Sequence, residues 1–269
     1  MKKKTNSYYD RIASIYDRTR WLTNNIADEV ADMIINLVNA NLKTSFLELG
    51  VGTGLNVFPL VKKGYFVTGI DVSEEMLNQF KQKFDTIPDN LALINDDASQ
   101  LPFEDHSFDV ILTVHMVHGI GDRTKFFQEI DRVLKPQGYY LNCQWITPPA
   151  RMEFENYFRD VLVSYGIEKK INHDMMNTIN TQIKEYFENI NYKSNYIVAK
   201  EWEVSNTVKE LLGYYRDRAY GLCWLLFEQQ FNQAMIDFEQ FCLNHYHSED
   251  TELSSTAKFE IWSNQKTQK

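Results

Sequence analysis

Disulfide bonds and cysteine-based metal sites are not indicated by this sequence, because cysteine is scarce in it. The 269 residues include three cysteines, Cys143, Cys223 and Cys242, which are far apart and odd in number. This usage is typical of a reducing compartment, and the spacing does not match a zinc site. We therefore expect a cytoplasmic protein with no disulfide and no bound metal.

Basic residues are outnumbered by acidic ones, and long apolar runs are absent from the sequence. Lys and Arg number 28 against 37 Asp and Glu, which gives a formal net charge of -9. An acidic chain is poorly suited to nucleic-acid phosphates, so no nucleic-acid partner is expected. The one basic run, at residues 2–4, precedes no apolar segment, and no stretch is long enough to span a bilayer. Neither a leader peptide nor a membrane span is therefore expected.

Glycine is rare but concentrated. Three of the 11 glycines, Gly50, Gly52 and Gly54, directly follow the apolar run at residues 46–49. The run predicts a buried parallel strand, and the glycines allow a turn that a ligand can approach closely. A helix and a second strand follow, and Asp71 stands at the end of that strand. This pattern is typical of the nucleoside-binding edge of a doubly wound α/β sheet, where the acid binds ribose hydroxyls.

The spacing of the glycines restricts the class of ligand that the turn can bind. They read GxGxG, and Leu55 stands where the third glycine of a dinucleotide fingerprint would fall. The Lys-Ser/Thr pair of a P-loop is absent from this stretch. A pyrophosphate ligand is therefore disfavoured, and a nucleotide-dependent oxidoreductase is a weaker alternative.

Further blocks follow the glycine turn in an order that resembles one enzyme family. ELGVGTG and GIDVSEEML are followed by NDDA, LPFEDHSFDVI, VHMVHGIGD and RVLKPQGYY. Over roughly residues 8–146, the chain resembles class I S-adenosylmethionine (SAM)-dependent methyltransferases, particularly the small-molecule enzymes of the ubiquinone/menaquinone-biosynthesis type. The resemblance implies an α/β fold: a doubly wound, mostly parallel seven-stranded sheet with an antiparallel final hairpin. It also implies SAM as cofactor and S-adenosylhomocysteine (SAH) as product.

The chain divides into four predicted parts. Residues 1–23 would form a lid, residues 24–147 a Rossmann-like SAM-binding core, and residues 148–194 a helical cap segment. Residues 195–269 would supply the closing hairpin strands, with a helical insertion at about 206–247. Outside the core, the predicted elements are helices at 152–165 and 173–187 and strands at 195–204 and 256–262.

The resemblance assigns a set of cofactor-binding residues. Asp71 would bind the ribose, Glu48 would lie near the methionine amino group, and Asp97 would bind the adenine. The full set is Tyr16, Glu48, Gly50, Gly52, Gly54, Asp71, Val72, Met76, Asp97, Ala98 and His115.

Several members of this set could instead have a purely structural role. Tyr16 could belong to a short helix packed at the domain edge, Glu48 could be a solvated strand-end charge, and Met76 could be a core residue. Asp97 could cap its own turn, and Asp96 beside it leaves the assignment ambiguous by one position.

The acceptor site is less defined by the sequence. His115 follows the predicted fourth strand, at the edge where open α/β sheets bind ligands, and is the one predicted catalytic residue. The candidate substrate contacts are Tyr9, His118, Trp145, Tyr214, Tyr215 and Arg218. Aromatic stripes are also typical of a core. His118 could instead shape its loop, and Arg216 and Arg218 could bind an acidic acceptor or form a solvated helix face.

These observations predict transfer of the SAM methyl group to an O, N or C atom of a small molecule. In-line alignment of the two reactants would be the main catalytic effect, and a base would be needed only if the acceptor must lose a proton. The alternatives are a protein acceptor, or a non-catalytic SAM-fold protein that binds a partner. The sequence does not predict the oligomeric state.

Overall fold

A computed structural model describes residues 8–168 and 175–267. The predictions for residues 1–7, for residues 173–174 of the second cap helix and for residues 268–269 lie outside the described residues. The strands are β1 (Ser45–Leu49), β2 (Phe66–Asp71), β3 (Leu91–Asn95), β4 (Phe108–Val114), β5 (Leu134–Ile146), β6 (Tyr192–Thr207) and β7 (Glu252–Lys266). The helices are α1 (Tyr8–Ile12), α2 (Asn24–Leu37), α3 (Phe58–Lys62), α4 (Glu74–Lys81), α5 (Arg123–Val133), α6 (Pro149–Ser164), α7 (Met175–Asn189), α8 (Val208–Arg216) and α9 (Glu228–Tyr246).

The seven strands form one sheet in the order β3-β2-β1-β4-β5-β7-β6. The first five in this order are parallel, whereas β7 is antiparallel to both β5 and β6. The predicted fold class is confirmed. Because β1 lies at the centre with β2 on one side and β4 on the other, the chain reverses its winding there, and ligands bind at such a switch point.

Local signals account for several element boundaries. Ser73 accepts a hydrogen bond from the Met76 N–H at 3.2 Å, and Asp122 accepts one from the Lys125 N–H at 3.0 Å. These contacts satisfy backbone N–H donors that have no partner within the helix at the starts of α4 and α5, as N-cap residues do. Gly64 follows α3 with a φ of 89°, as expected of a glycine past a helix end.

Two element boundaries depend on irregular backbone. The glycine turn extends to residue 57, so α3 begins only at Phe58. Strand β5 begins at Leu134. Leu134 already pairs with Phe108, and pairing resumes at Tyr139 opposite Val110, so the KPQG segment forms an irregularity within the strand.

Three apolar clusters hold these elements together. Two of them include the inward side chains of the parallel strands, together with α2 in one and with α5 and α7 in the other. The third is built by α6, α8 and α9, including Phe154, Phe158 and Phe238. Helices α8 and α9 lie between β6 and β7 in the chain, as the predicted insertion does. Within residues 8–168 and 175–267, no helix is both long and apolar enough to cross a bilayer.

Candidate functional site

A cavity of about 400 Å³ opens at the carboxyl edge of the parallel strands. It lies against the ends of β1, β2 and β4, where the glycine turn and the following loops converge. Nine of the 11 predicted cofactor residues line it: Tyr16, Gly50, Gly52, Asp71, Val72, Met76, Asp97, Ala98 and His115.

Backbone forms the floor of this cavity. Gly50 and Gly52 have φ values of 74° and 53°, which glycine adopts without strain. A Cβ atom on Gly50 would lie 3.0 Å from the Cβ of Met116, and one on Gly52 would lie 3.4 Å from the Cε of Met76. The two glycines therefore leave room that side chains would fill.

Asp71 is fixed at the cavity wall by the backbone of two loops. Its Oδ2 accepts the Gly52 N–H and its Oδ1 accepts the Ser73 N–H, both at 2.8 Å. Burial raises the pKa of this carboxyl above its usual range, although the two N–H groups oppose the shift. Each oxygen keeps further acceptor capacity, so the carboxylate can bind hydroxyl groups of a ligand while it holds the glycine turn in place.

Several other lining residues combine a structural contact with their position at the cavity. Asp97 accepts the Ser99 N–H at 2.8 Å. This is the contact expected if Asp97 caps its own turn, which was the alternative to adenine binding. Met76 is only 3% exposed, so it belongs to the core as well as to the cavity wall. Val72 is 64% exposed beside it. Asp96 also lines the cavity, so the ambiguity between the two acids is not resolved by position.

Glu48 and Gly54 lie away from this cavity. Glu48 is fully buried and accepts a hydrogen bond from the Asn56 side chain at 2.8 Å. Burial raises its pKa to about 8, so the carboxyl is mostly protonated at neutral pH. A Cβ on Gly54 would come within 2.4 Å of the Phe80 ring, so this glycine makes room for helix α4.

His115 belongs to a hydrogen-bond network at the inner wall. Its Nε2 accepts the Trp145 N–H at 2.8 Å, which places the ring proton on Nδ1. The Trp145 indole donates to Asn56 at 3.0 Å, and Asn56 in turn bonds Glu48. Burial, with smaller contributions from His118 and Arg20, lowers the pKa of His115 to about 4. This geometry argues against the predicted role of His115 as a base, because its one free nitrogen is a donor.

The described part of the predicted lid, residues 8–23, connects the core to the inserted helices. On the core side, Asp17 accepts a hydrogen bond from the Thr53 hydroxyl and pairs with Lys83 at 2.6 Å. On the other side, the Tyr8 hydroxyl donates to the Ala219 carbonyl at 2.6 Å. The segment is therefore attached to both walls of the site.

A second cavity, of about 260 Å³, adjoins the first. Five residues line both cavities: Tyr9, Tyr16, His115, His118 and Trp145. Three of the predicted substrate contacts are among them, and a fourth, Tyr215, lines the second cavity alone. Tyr214 and Arg218 line neither cavity. Arg218 lies instead over the rings of Phe231 and Trp224, which belong to the inserted helices.

Sequence reasoning missed three polar side chains at these cavities. Asn56 lines the first cavity, and Arg20 and Arg151 line the second. The sequence signal for Asn56 was a polar residue two positions after Gly54. Arg20 stands next to Trp21 in an aromatic segment, and Arg151 follows the Pro148-Pro149 break, but nothing local indicates that the two arginines meet.

Comparison with known proteins places this site in a family. A methyltransferase domain family matches residues 47–142. Demethylmenaquinone methyltransferase of Staphylococcus aureus is 30% identical over 175 residues, which cover 61% of this chain and 71% of the relative. The chain belongs to the class I SAM-dependent methyltransferases.

Two further comparisons give a second similar relative and a similar fold. Demethylmenaquinone methyltransferase of Clavibacter sepedonicus is 29% identical over 155 residues, or 57% of this chain. The chain spans 63% of that relative, which is less than two thirds of its length. The crystal structure of the YcgJ protein from Bacillus subtilis has a TM-score of 0.54 at 17% identity, over 90% of this chain and 99% of that one, and so shares the fold.

SAM is the cofactor of this methyltransferase family, and the first cavity fits it. Gly50 and Gly52 line the cavity with backbone that carries no Cβ, which suits close approach of a nucleoside. Asp71 offers a fixed carboxylate with free lone pairs at the end of β2, where ribose hydroxyls are bound in such sheets.

Proposed function

We propose that the protein transfers a methyl group from SAM to a small-molecule acceptor. The observation that carries the proposal is the pair of adjoining cavities, which share Tyr9, Tyr16, His115, His118 and Trp145. One cavity has the glycine turn and the acid of a nucleoside site. The other lies between the lid and the inserted helices, so a second reactant bound there would touch the same five side chains.

SAM supplies a methyl group already activated on a positively charged sulfur, so the protein's task is to bind and align the two reactants. In our proposal, Asp71 binds the ribose, and the Asp97–Ala98 segment binds the adenine. The ring of Tyr16 and the indole of Trp145 stand where the cavities meet, and there they orient the acceptor and exclude water. Orientation of this kind contributes up to about 7–11 kcal/mol to a reaction barrier.

A small molecule is favoured over a protein as the acceptor. The relatives are named for demethylmenaquinone, a small molecule, and the second cavity is bounded by the lid on one side and by α6 and α8 on another. A polypeptide segment would have to displace the lid contacts of Tyr8 and Asp17.

Titration calorimetry with SAM, SAH and NAD tests the proposal. We expect micromolar binding of SAM and SAH and no binding of NAD, followed by label transfer from methyl-labelled SAM to one member of a small-molecule panel. Folded protein that binds neither SAM nor SAH would overturn the proposal. SAH binding with no transfer to any small molecule, but transfer to protein in an extract, would favour the protein acceptor.

A further inference from the structure

Two arginines line the second cavity, and they come from distant parts of the chain. The guanidinium carbon of Arg20 lies 4.1 Å from the ring centroid of Tyr16 and 5.6 Å from that of Tyr220. Arg151, on α6, is only 8% exposed and lies 5.4 Å from the ring centroid of Trp21. Each arginine thus has an aromatic surface beside it, and both contribute to the wall of the same small space.

Neither arginine has a carboxylate partner within the described residues. Arg151 donates to the Asn206 side-chain oxygen at 2.8 Å and to the Thr19 carbonyl at 3.1 Å, which are both neutral acceptors. Arg20 is hydrogen-bonded to the phenols of Tyr8 and Tyr16 and makes a long contact with the Thr19 hydroxyl, at 3.4 Å, and none of these partners is an acid. Both positive charges therefore remain uncompensated by an acid.

The other titratable groups at this cavity do not supply the missing charge. Among the described lining residues, Glu155 is the only acidic one outside the cofactor cavity, and it is paired with Arg159 at 2.6 Å. Burial raises the pKa of Tyr220 to about 12 and also raises those of Tyr8 and Tyr9, so these phenols stay neutral. His115 stays neutral as well, because its pKa is lowered.

A buried positive charge without a counter-ion is unfavourable, and two of them in one cavity repel each other. Burial is the largest factor that lowers the pKa of Arg151, and the proximity of Arg20 lowers it further. An anion between the two guanidinium groups would relieve this repulsion. Guanidinium binds carboxylate oxygens in pairs, and it also stacks on aromatic rings.

We propose that the acceptor is a small anion, with a carboxylate or another negatively charged oxygen group that faces Arg20 and Arg151. This inference rests on the proposed methyl transfer and specifies its substrate class. The volume of about 260 Å³ lies near the lower end of the range for ligand pockets, about 300–1,000 Å³, which favours a compact acceptor. The positive sulfur of SAM next to this space would also attract an anion and repel a protonated amine.

The first test compares a charged probe with a neutral one of the same shape on the wild-type protein. With the cofactor cavity saturated by SAH, we measure binding of benzoate and of benzamide by calorimetry at pH 7. We expect benzoate to bind at least about tenfold more tightly, since hydrogen bonds to charged groups are the strong ones. Equal affinities of the two probes would overturn the inference while leaving the proposed function intact.

The second test assigns the effect to Arg20. Arg20→Gln should remove most of the preference for benzoate and Arg20→Lys should keep part of it, whereas both should bind SAH as the wild type does. Arg216→Gln is the matched control, because Arg216 is paired with Glu239 on the exposed face of α8 and lines neither cavity. It should change neither measurement.

The outcomes show whether Arg20 binds a carboxylate of the acceptor or the carboxylate of the cofactor. If Arg20→Gln loses SAH affinity and keeps the benzoate preference, Arg20 serves the carboxylate of the cofactor and the inference is overturned. If folded wild-type protein fails to bind SAH, the proposed function falls, and this inference falls with it. A benzoate preference that Arg20→Gln abolishes at unchanged SAH affinity supports the inference.

Discussion

The two adjoining cavities are built in different ways. In the first, the contact that holds the glycine turn is local: the Gly52 N–H and the Asp71 carboxylate are 19 residues apart. In the second, the contacts join distant segments. The Tyr8 hydroxyl meets a carbonyl 211 residues away, and Arg151 meets one 132 residues away.

The two cavities also differ in whether backbone or side chains determine which ligand binds. Backbone at strand ends forms the first, and a sheet of this topology keeps that arrangement whatever its loops do. Long side chains from the lid and the inserted helices form the second. Substitutions there can change the acceptor without disturbing the sheet, which is how one fold supports many activities.

The largest expected effect tests how tightly the glycine turn beside the first cavity is packed against α4. Gly54→Ala should destabilise the protein by about 2–5 kcal/mol, because it combines a strained positive φ with an overpacked contact. The ring atoms of Phe80 lie 2.4 Å from the new Cβ. Denaturant unfolding monitored by circular dichroism measures the change.

Gly213→Ala is the matched control for this prediction, because a Cβ there meets nothing within 4 Å. Gly213 lies inside α8, where alanine is the better helix former, so this variant should be neutral or more stable by up to about 1 kcal/mol. If both variants unfold like the wild type, the glycine turn is less tightly packed than the structure shows.

The next effect concerns ligand affinity in the same cavity. Asp71→Ala should weaken SAH binding by about tenfold to a hundredfold, since loss of a hydrogen-bonded charged group costs about 1.5–3 kcal/mol. The glycine turn also loses the partner of the Gly52 N–H. Calorimetric titration gives the affinity, and benzoate binding without SAH reports on the second cavity. A folded variant with wild-type SAH affinity would show that Asp71 does not contact the ligand.

The next prediction concerns the buried hydrogen-bond network of Glu48, Asn56, Trp145 and His115. Its titration should change the free energy of unfolding with pH when no ligand is bound. The pKa of Glu48 is raised from 4.5 to about 8, so its stabilising contribution is complete below pH 4.5 and is lost as the pH rises towards 8. That of His115 is lowered to about 4, so its contribution is lost only as the pH falls below 6.5. Between pH 6.5 and 8, the free energy of unfolding of the wild type should therefore fall by about 1–2 kcal/mol relative to Glu48→Gln.

Thermal unfolding of the two proteins at pH 6.5 and at pH 8 measures this difference. Glu48→Gln keeps an oxygen that can accept the Asn56 side-chain hydrogen bond, so the comparison isolates the charge. Parallel pH curves for the two proteins would mean that Glu48 is ionised in the folded state.

The smallest effect is expected at the predicted catalytic residue. The side-chain oxygen of glutamine stands about where Nε2 of histidine does, so in His115→Gln it can accept the Trp145 N–H. His115→Gln should therefore reduce methyl transfer by less than about tenfold, whereas loss of a general base costs about 10²–10⁴. Rates of label transfer from methyl-labelled SAM decide between these outcomes, and a loss of a thousandfold would restore His115 as a base.

The sequence predicted the first cavity well because its signals are local. An apolar run, three glycines and a strand-terminal acid occupy consecutive segments, and the structure brings Gly50, Gly52 and Asp71 to one cavity. Gly54 looks equivalent in the sequence, yet it lies against Phe80, a contact that depends on how α4 packs.

The second cavity was beyond sequence reasoning for a physical reason. Arg20 and Arg151 come together only because the lid folds back onto α6, and no short-range pattern records that contact. Tyr214 and Arg218 were plausible acceptor contacts by composition. Their place in the inserted helices puts them beside other side chains instead: Tyr214 lies near Arg151, and Arg218 lies over Phe231.

The attachment of the lid to both walls has a kinetic consequence. Tyr9 and Tyr16 line both cavities, while Asp17 is bound to the core and Arg18 to Asp217 of the insertion. One movement of this segment would open both spaces together. We therefore expect SAH and the methylated product to leave in the same opening event. The rate of this movement, and not the affinity for either product alone, would then limit kcat.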